Sequence, residues 1–419
     1  MHGTFCRFCF GAMLLVGLGP SAWAGFGPYE HGYGIKSLGA GGVAYALHDE
    51  AYQVNANPAA AALMGHRLDL GLNWNVVDPG GSITGNAAGA DQQFDSDVQR
   101  HYPIPQAAWV RPLNPQLSTG VTFFAAGLGT EYRDNPYARF GGEGRGKLGI
   151  MQVGLSGLLA WRVAPRQSLG LGLNVSYRSF ELKGIQPFAG FSQAPAQLTN
   201  QGEAGGLGVS VSLGWQGQIA PGLKAGIAVR TPTYMQKLKD YAGALPHQGQ
   251  LNLPAIWGGG LAYELFSSLT VAVDAQRLLF GRVAALGNPI AQLQQGHLLG
   301  SDEGPGFGWR SQTIYKLGLI WQASPQLTLR AGYNHGSRVI SPSETLFDLL
   351  APSAGRRHYT LGGSYAFSQA WEASGYASWQ PREHVSGRGS IPADFGGGEA
   401  DVFFGSYAVG VSLGRRFGN

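Results

Sequence analysis

Residues 207–215, LGVSVSLGW, alternate without a break. Leu207, Val209, Val211, Leu213 and Trp215 fall on one face of an extended strand, and Gly208, Ser210, Ser212 and Gly214 on the other, because successive side chains of a strand point to opposite sides. The period recurs along the chain. Met151, Val153, Leu155, Leu159 and Trp161 oppose Gln152, Gly154, Ser156, Ala160 and Arg162. Leu169, Leu171, Leu173, Val175 and Tyr177 oppose Gly170, Gly172, Asn174, Ser176 and Arg178. Leu327, Leu329, Ala331 and Tyr333 oppose Thr328, Arg330, Gly332 and Asn334, and Tyr407, Val409, Val411 and Leu413 oppose Ala408, Gly410, Ser412 and Gly414. The pattern predicts about fourteen strands, near 67–77, 105–111, 117–127, 148–163, 168–184, 205–218, 223–231, 255–264, 269–279, 312–322, 327–334, 357–366, 370–379 and 404–417. Many reach about ten residues, enough to cross a bilayer on a tilt.

The connections alternate too. Pro112–Gln116, Ala164–Gln167, Ile219–Gly222, Leu265–Ser268, Ala323–Gln326 and Phe367–Gln369 are short, and four of the six contain Pro, which suits a tight turn. The others are long, about 78–104, 128–147, 185–204, 232–254, 280–311, 335–356 and 380–403. Membrane barrels have short periplasmic turns and long external loops. A soluble sandwich also alternates, but it has no reason for strictly short-then-long connections. Its wet face would carry Lys, Glu and Thr, whereas this one carries Gly, Ser, Asn and Gln. The Leu/Val face is therefore assigned to lipid and the small polar face to an enclosed lumen. Trp161, Trp215, Trp321 and Tyr177 lie at or near segment ends, where interfacial aromatics belong. The competing assignment makes them ordinary core residues.

Composition agrees. Charged residues are 13%, against about 25% in soluble domains. Glycine is 67 of 419, mean hydropathy is close to zero, and outside the leading segment no run of about 20 apolar residues exists. A net charge of +4 without a basic block gives no reason to expect nucleic acid. Arg7, the apolar run from Phe8 to Leu18, Gly19-Pro20 and Ala22-Trp23-Ala24 predict a secretory signal, residues 1–24, cleaved after Ala24; the alternative is a retained helix. Cys6 and Cys9 both fall within it, so the exported part has neither disulfide nor thiolate metal site. The outer membrane of a Gram-negative bacterium is the expected location.

Residues 25–66 are small-residue rich and do not alternate. Pro58 at a first helical position, capped by Asn57, predicts one or two helical turns over Ala59 to Met64. A piece this short has too little core to stand alone. It reads as a hatch within the barrel of residues 67–419, or else as a periplasmic tail. Asn57, Pro58 and Ala59 are assigned to shaping the hatch. An enzyme finds little support: no G-x-S-x-G and no H-E-x-x-H occurs. GAGGVA, 39–44, lacks a preceding strand, so it is not a dinucleotide loop. The ten histidines are scattered; His48-Asp49-Glu50 reads as a polar turn before a cation site, and His358 would need a serine on a neighbouring strand. No cofactor or metal is expected. A general porin, and after it a barrel lipid hydrolase, are the alternative functions.

Four ordered stretches resemble the FadL/TodX outer-membrane transporters of long-chain fatty acids and hydrocarbons. They are Gly25-Phe26 with GAGGVAYA and DEAYQVNANPAAAA; GLGTEY, 127–132; LPAIWGGGLAYELFSSLTVAVDAQ, 253–276; and GPGFGWRSQTIYKLGLIWQASPQLTLRAGYNHG, 304–336, continuing into FDLLAPSAGRRHYTLGGSYAFS. The resemblance implies an all-β fold, a 14-stranded antiparallel transmembrane barrel with a small N-terminal hatch in its lumen. It implies a monomer in contact with outer-membrane lipid and lipopolysaccharide, inserted by the barrel-assembly machinery. It implies passive uptake of fatty acids, alkanes or aromatics: capture by outer loops, an internal pocket, and lateral exit at a kink in the third strand. Gly127, Leu128 and Gly129 are the kink candidates, and a simple strand end is the alternative. Phe26 is the leading hatch candidate for ligand contact. Phe188, Phe191, Leu238, Tyr241, Leu298, Leu299, Phe347, Leu349 and Leu350 are apolar loop positions that either capture ligand or pack on one another as a lid. Arg178, Lys316 and Arg330 are the cations open to a ligand carboxylate. The chain departs from the family's usual terminal Phe, since Gly418-Asn419 follow Phe417, and Arg310-Ser311 stand where many relatives carry a basic residue and then Asp.

Overall fold

The computed structural model describes residues 26–418. The expected signal segment with its two cysteines, Gly25 and Asn419 lie outside the described residues.

Fourteen long strands close into one antiparallel barrel. They are β1 Arg67–Thr84, β3 His101–Pro112, β4 Leu117–Tyr132, β5 Gly146–Ala164, β6 Gln167–Lys183, β7 Ala204–Ala220 and β8 Leu223–Arg230 in the first half. The second half holds β10 Ile256–Phe266, β11 Leu269–Leu278, β12 Gln312–Gln322, β13 Leu327–Gly336, β14 Arg357–Ala366, β15 Trp371–Val385 and β16 Glu399–Arg416. Two short pieces, β2 Gln92–Asp95 and β9 Tyr234–Met235, pair with β1 and β7 near the long-loop end. Neighbours in sequence are neighbours in the sheet, and β16 pairs with β1 along the whole of β1. The strand order therefore closes on itself, as a spanning sheet requires.

The faces divide as the alternation predicts. Leu171 and Val209 are half exposed on the outside, whereas Asn174 and Ser210 are buried inside. Tyr333, Tyr359 and Trp379 form an outward ladder across β13 to β15, with ring centroids 5.2 and 5.7 Å apart. Several strands run further than their alternation. β1 continues to Thr84, through Pro79-Gly80-Gly81, and β15 continues to Val385. In the β1 extension the outer face is covered as well, so Pro79, Gly80 and Gly81 are all buried and the period of two disappears from the sequence.

Residues 26–64 lie within the barrel and touch strands around most of its circumference. Ala44 and Tyr45 N–H groups donate to Asp274 on β11 at 2.7 and 3.2 Å. Ala51 N–H donates to Asp69 on β1 at 2.7 Å. Gly41 N–H donates to Thr360 on β14 at 2.8 Å. Asn57 caps the short helix Pro58–Ala60, its oxygen accepting from Ala59 N–H at 3.1 Å, while its amide donates to the carbonyls of Tyr45 and Trp215, both at 2.9 Å. The wall lies directly on this backbone. A Cβ on Gly170 would stand 2.2 Å from the Ala59 nitrogen, and one on Gly214 would stand 2.0 Å from the Asn57 oxygen.

Candidate functional site

The long loops fold over one end of the barrel and build an apolar core there. Phe188 is buried, edge-on to Tyr137 and Phe347 at 5.5 and 5.1 Å, and tilted against Phe395 at 5.0 Å. Phe191 also packs on Phe395, and Leu238, Tyr241 and Leu349 are buried in the same core. Leu298 stays exposed, at 38%. Apart from Leu298, these positions thus pack on one another. Within this core lies a cavity of about 50 Å³, lined by Phe180, Leu182, Leu299, Phe307, Phe347 and Leu350 among others, with no charged side chain in its wall. It is smaller than the roughly 150 Å³ that admits benzene in an engineered core, so a ligand must displace side chains to occupy it.

Behind Phe307 stands Trp309, 6.0 Å away and fully buried. Its indole N–H donates to Asp348 at 2.7 Å. Burial pushes the Asp348 carboxyl well above the usual carboxylate range, against the opposing pull of the Trp309 hydrogen bond. Phe280 meets Trp309 edge-on at 5.3 Å and stacks with Tyr29 at 6.4 Å. The leading segment Phe26–Tyr29 is seated among these rings. Phe26 is 1% exposed and edge-on to His358 at 4.9 Å. Neither Trp309 nor Asp348 is a sequence-predicted site residue; an indole and a carboxylate in separate loops give no local signal that they meet.

Beyond the tip is a second cavity, of about 60 Å³, lined by Tyr29, Glu30, Tyr33, Tyr52, Phe124–Ala126, Gln152 and Arg230 among others. It abuts an interruption in the wall. β4 pairs with β5 from Leu117 to Tyr132 without a register shift. Its pairing with β3 stops at Ala107 opposite Phe123. Above that point Gly127 N–H donates to the carbonyl of Pro28 at 2.9 Å, so the hatch tip takes the place of a strand. Contact with the chain before β3 resumes at Glu131, whose N–H donates to Ser96 at 2.9 Å. Gly127, Leu128 and Gly129 therefore lie on an edge that faces the tip, in continuous register with β5. The cause sits on the neighbouring strand. β3 keeps its ladder to β1 through Pro103 and Pro105, so these are positions whose backbone faces β4, where proline has no N–H to offer. The sequence HYPIPQ carries that signal and the alternation count passes over it.

The other candidates are engaged elsewhere. Lys316 donates to the Gly42 carbonyl at 3.1 Å, Arg330 to Ser364 at 2.6 Å and Asp49 at 3.2 Å, and Arg178 to the Gln236 carbonyl at 3.3 Å. None of the three lines either cavity. His358 bonds Asn334 at 2.8 Å and stacks on His31 at 4.6 Å, with no serine between. His48, Asp49 and Glu50 diverge: His48 meets Gln216, Asp49 meets Arg330, and Glu50 accepts from the N–H groups of Ile35 and Lys36 at 3.0 Å.

The barrel matches solved structures. The toluene transporter TodX of P. putida superposes with a TM-score of 0.68 at 19% identity, covering 93% of this chain and 99% of that one. A FadL homologue of Pseudomonas aeruginosa gives 0.72 at 16% identity, covering 94% and 100%. The Ralstonia pickettii toluene transporter TbuX gives 0.64 at 17%, covering 93% and 99%. A search of curated proteins gives no match. The sequence model of the outer membrane protein transport proteins (OMPP1/FadL/TodX) matches residues 36–374, and the chain belongs to that family.

Proposed function

We propose that this protein is a passive channel that brings hydrophobic compounds, hydrocarbons or long-chain fatty acids, across the outer membrane of a Gram-negative bacterium. Polar sugars outside and water inside both oppose an oily solute. Each buried methylene is worth about 0.8 kcal/mol, so an apolar lane carries such a solute better than an aqueous pore. The ligand works under the loop lid into the apolar cavity and displaces the tip Phe26–Tyr29. It then reaches the second cavity and leaves sideways between β3 and β4 into the bilayer, driven only by its concentration difference. Residues 25–66 serve as the hatch, and 1–24 as the export signal.

One observation supports the reading: past the end of the β3–β4 pairing, Gly127 N–H donates to the Pro28 carbonyl, next to the cavity that Tyr29 lines. The lumen occupied by residues 26–64 argues against a general porin, which needs an open water-filled bore. The test is a locked wall. Continuing the β3–β4 register two residues past its last pair, Ala107 with Phe123, sets Pro105 against Ala125, so Pro105→Cys with Ala125→Cys would bring two thiols to the lower margin of the gap. Oxidised protein is expected to lose uptake of a labelled alkane or fatty acid, and reductant to restore it. Equal uptake in both states, with the cross-link verified by mass, would remove the lateral exit.

A further inference from the structure

A hollow of about 950 Å³ lies on the outer side of the wall, many times larger than either lumenal cavity. Its origin is a row of five small residues in register across five strands, Ala160, Gly170, Gly214, Ala228 and Gly258. Their inner faces press on the hatch: Gly170 on Ala59, Gly214 on Asn57 and Gly258 on the Tyr45 ring. With no side chain to hold it off, the wall bends in over the hatch, and the opposite surface becomes concave. Two outward rows flank the dent. Leu159, Leu171, Leu213, Val229 and Trp257 form one, and Trp161, Leu169, Trp215, Ile227 and Gly259 the other.

We propose that this hollow is a binding site for one glycerophospholipid of the periplasmic leaflet, its acyl chains in the dent and its phosphate at the turn end of the barrel. The surface is in the bilayer, so the occupant is hydrocarbon and not water. A second copy of the chain is a poor fit, because two identical dents meeting across a two-fold axis leave a void. Charge selects the head group. The turns 112–116, 164–167 and 219–222 that border the hollow carry no acidic residue. Arg111 and Arg166 are exposed there, and neither makes an ion pair among the described residues. Glu264, beside Gly222 of the third of these turns, is taken by Lys224 at 3.0 Å. Trp161 and Trp215 add indoles near the same ends, where amphipathic rings sit at head-group level.

Native mass spectrometry of the full barrel, released from mild detergent with added phosphatidylglycerol, tests this. One lipid is expected to persist at activation energies that strip the rest. Val229→Trp with Leu213→Trp, both positions facing outward, fills the dent and should cut the retained fraction about tenfold, roughly 1.4 kcal/mol. Arg111→Glu with Arg166→Glu should weaken retention of phosphatidylglycerol and leave neutral diacylglycerol unaffected. Heat-modifiable gel migration confirms that each variant is folded. A filled variant that keeps the full complement, or wild-type protein losing lipids in one continuous series with none persisting, would show only an ordinary annulus and overturn the site.

Discussion

The two ends of the hatch are held by different physics. From Ile35 onward the segment is fixed by charge and by directed hydrogen bonds. Lys36 meets Glu372 at 2.6 Å, Glu372 also bonds Arg67, and Arg67 meets Asp69 at 2.6 Å. Every member of that cluster is buried or nearly so. The tip, Phe26–Tyr29, is held by ring contacts and by one backbone bond to the wall, from Gly127 to Pro28. Ring pairs are worth about 0.5–1.5 kcal/mol each and re-form against any apolar neighbour, including a ligand. A buried ion cluster has no such substitute. Under the proposed function these are complementary: the anchored body would stay in the lumen, and the tip's contacts are ones a hydrophobic solute could replace.

Breaking the anchor should therefore have the largest effect. Glu372→Ala leaves Lys36 and Arg67 buried without their shared partner, and loss of one member of such a set costs about 3–5 kcal/mol. The hatch body is expected to loosen while the barrel still closes through β1 and β16. Planar-bilayer recordings should then show frequent ion-conducting openings that wild-type protein lacks. A silent Glu372→Ala channel of normal stability would mean that the cluster does not anchor the body.

Breaking the tip should be gentler and should show in transport. Phe26→Ala removes a ring packed against His358 within the apolar cluster. Uptake of a long alkyl or acyl ligand is expected to fall several-fold at equal surface level, with ion conductance unchanged. Unaltered uptake would take Phe26 out of the path and leave the anchor argument standing.

The contrast also explains what could be read in advance. The fourteen strands were legible because each has one face in lipid and one in the lumen, which writes a period of two. The leading segment was legible as something other than a barrel strand, from its missing period and the Asn57-Pro58 cap. The anchor was not, since Lys36, Arg67 and Glu372 are separated by up to 336 residues along the chain and charge alone does not say which partner a lysine finds. The loop core was half legible: Phe188, Phe347 and Leu350 stood out as apolar residues in loops, but whether they open as a groove or close as a lid depends on packing between loops, which no local pattern records. The interrupted wall was legible in principle. Pro103 and Pro105 mark it, while attention to glycines pointed to Gly127–Gly129 on the strand opposite.

The lid offers the smallest effect and the sharpest limit on the comparison. Leu245 and Pro246 line the upper cavity, and the two residues that follow, His247 and Gln248, are both left-handed, with φ of 52° and 56°. For residues with a Cβ that conformation costs roughly 1–2 kcal/mol each. It is held by Asp302, which meets His247 at 3.2 Å and accepts from Gln248 at 2.9 Å, and by backbone bonds to Gly300 and Ser301. Gln248→Gly removes one strained position together with its tie to Asp302. Glycine takes this conformation freely, so the strain relieved and the hydrogen bond lost oppose each other. With the exposed bond worth little, the balance favours a lid that is tighter by less than about 1 kcal/mol. Slower proteolytic nicking of residues 244–250 and slightly slower uptake are the expected outcomes. Faster nicking would mean that the Asp302 tie outweighs the strain, placing the lid with the anchored body and leaving Phe26–Tyr29 as the one loosely held element on the path.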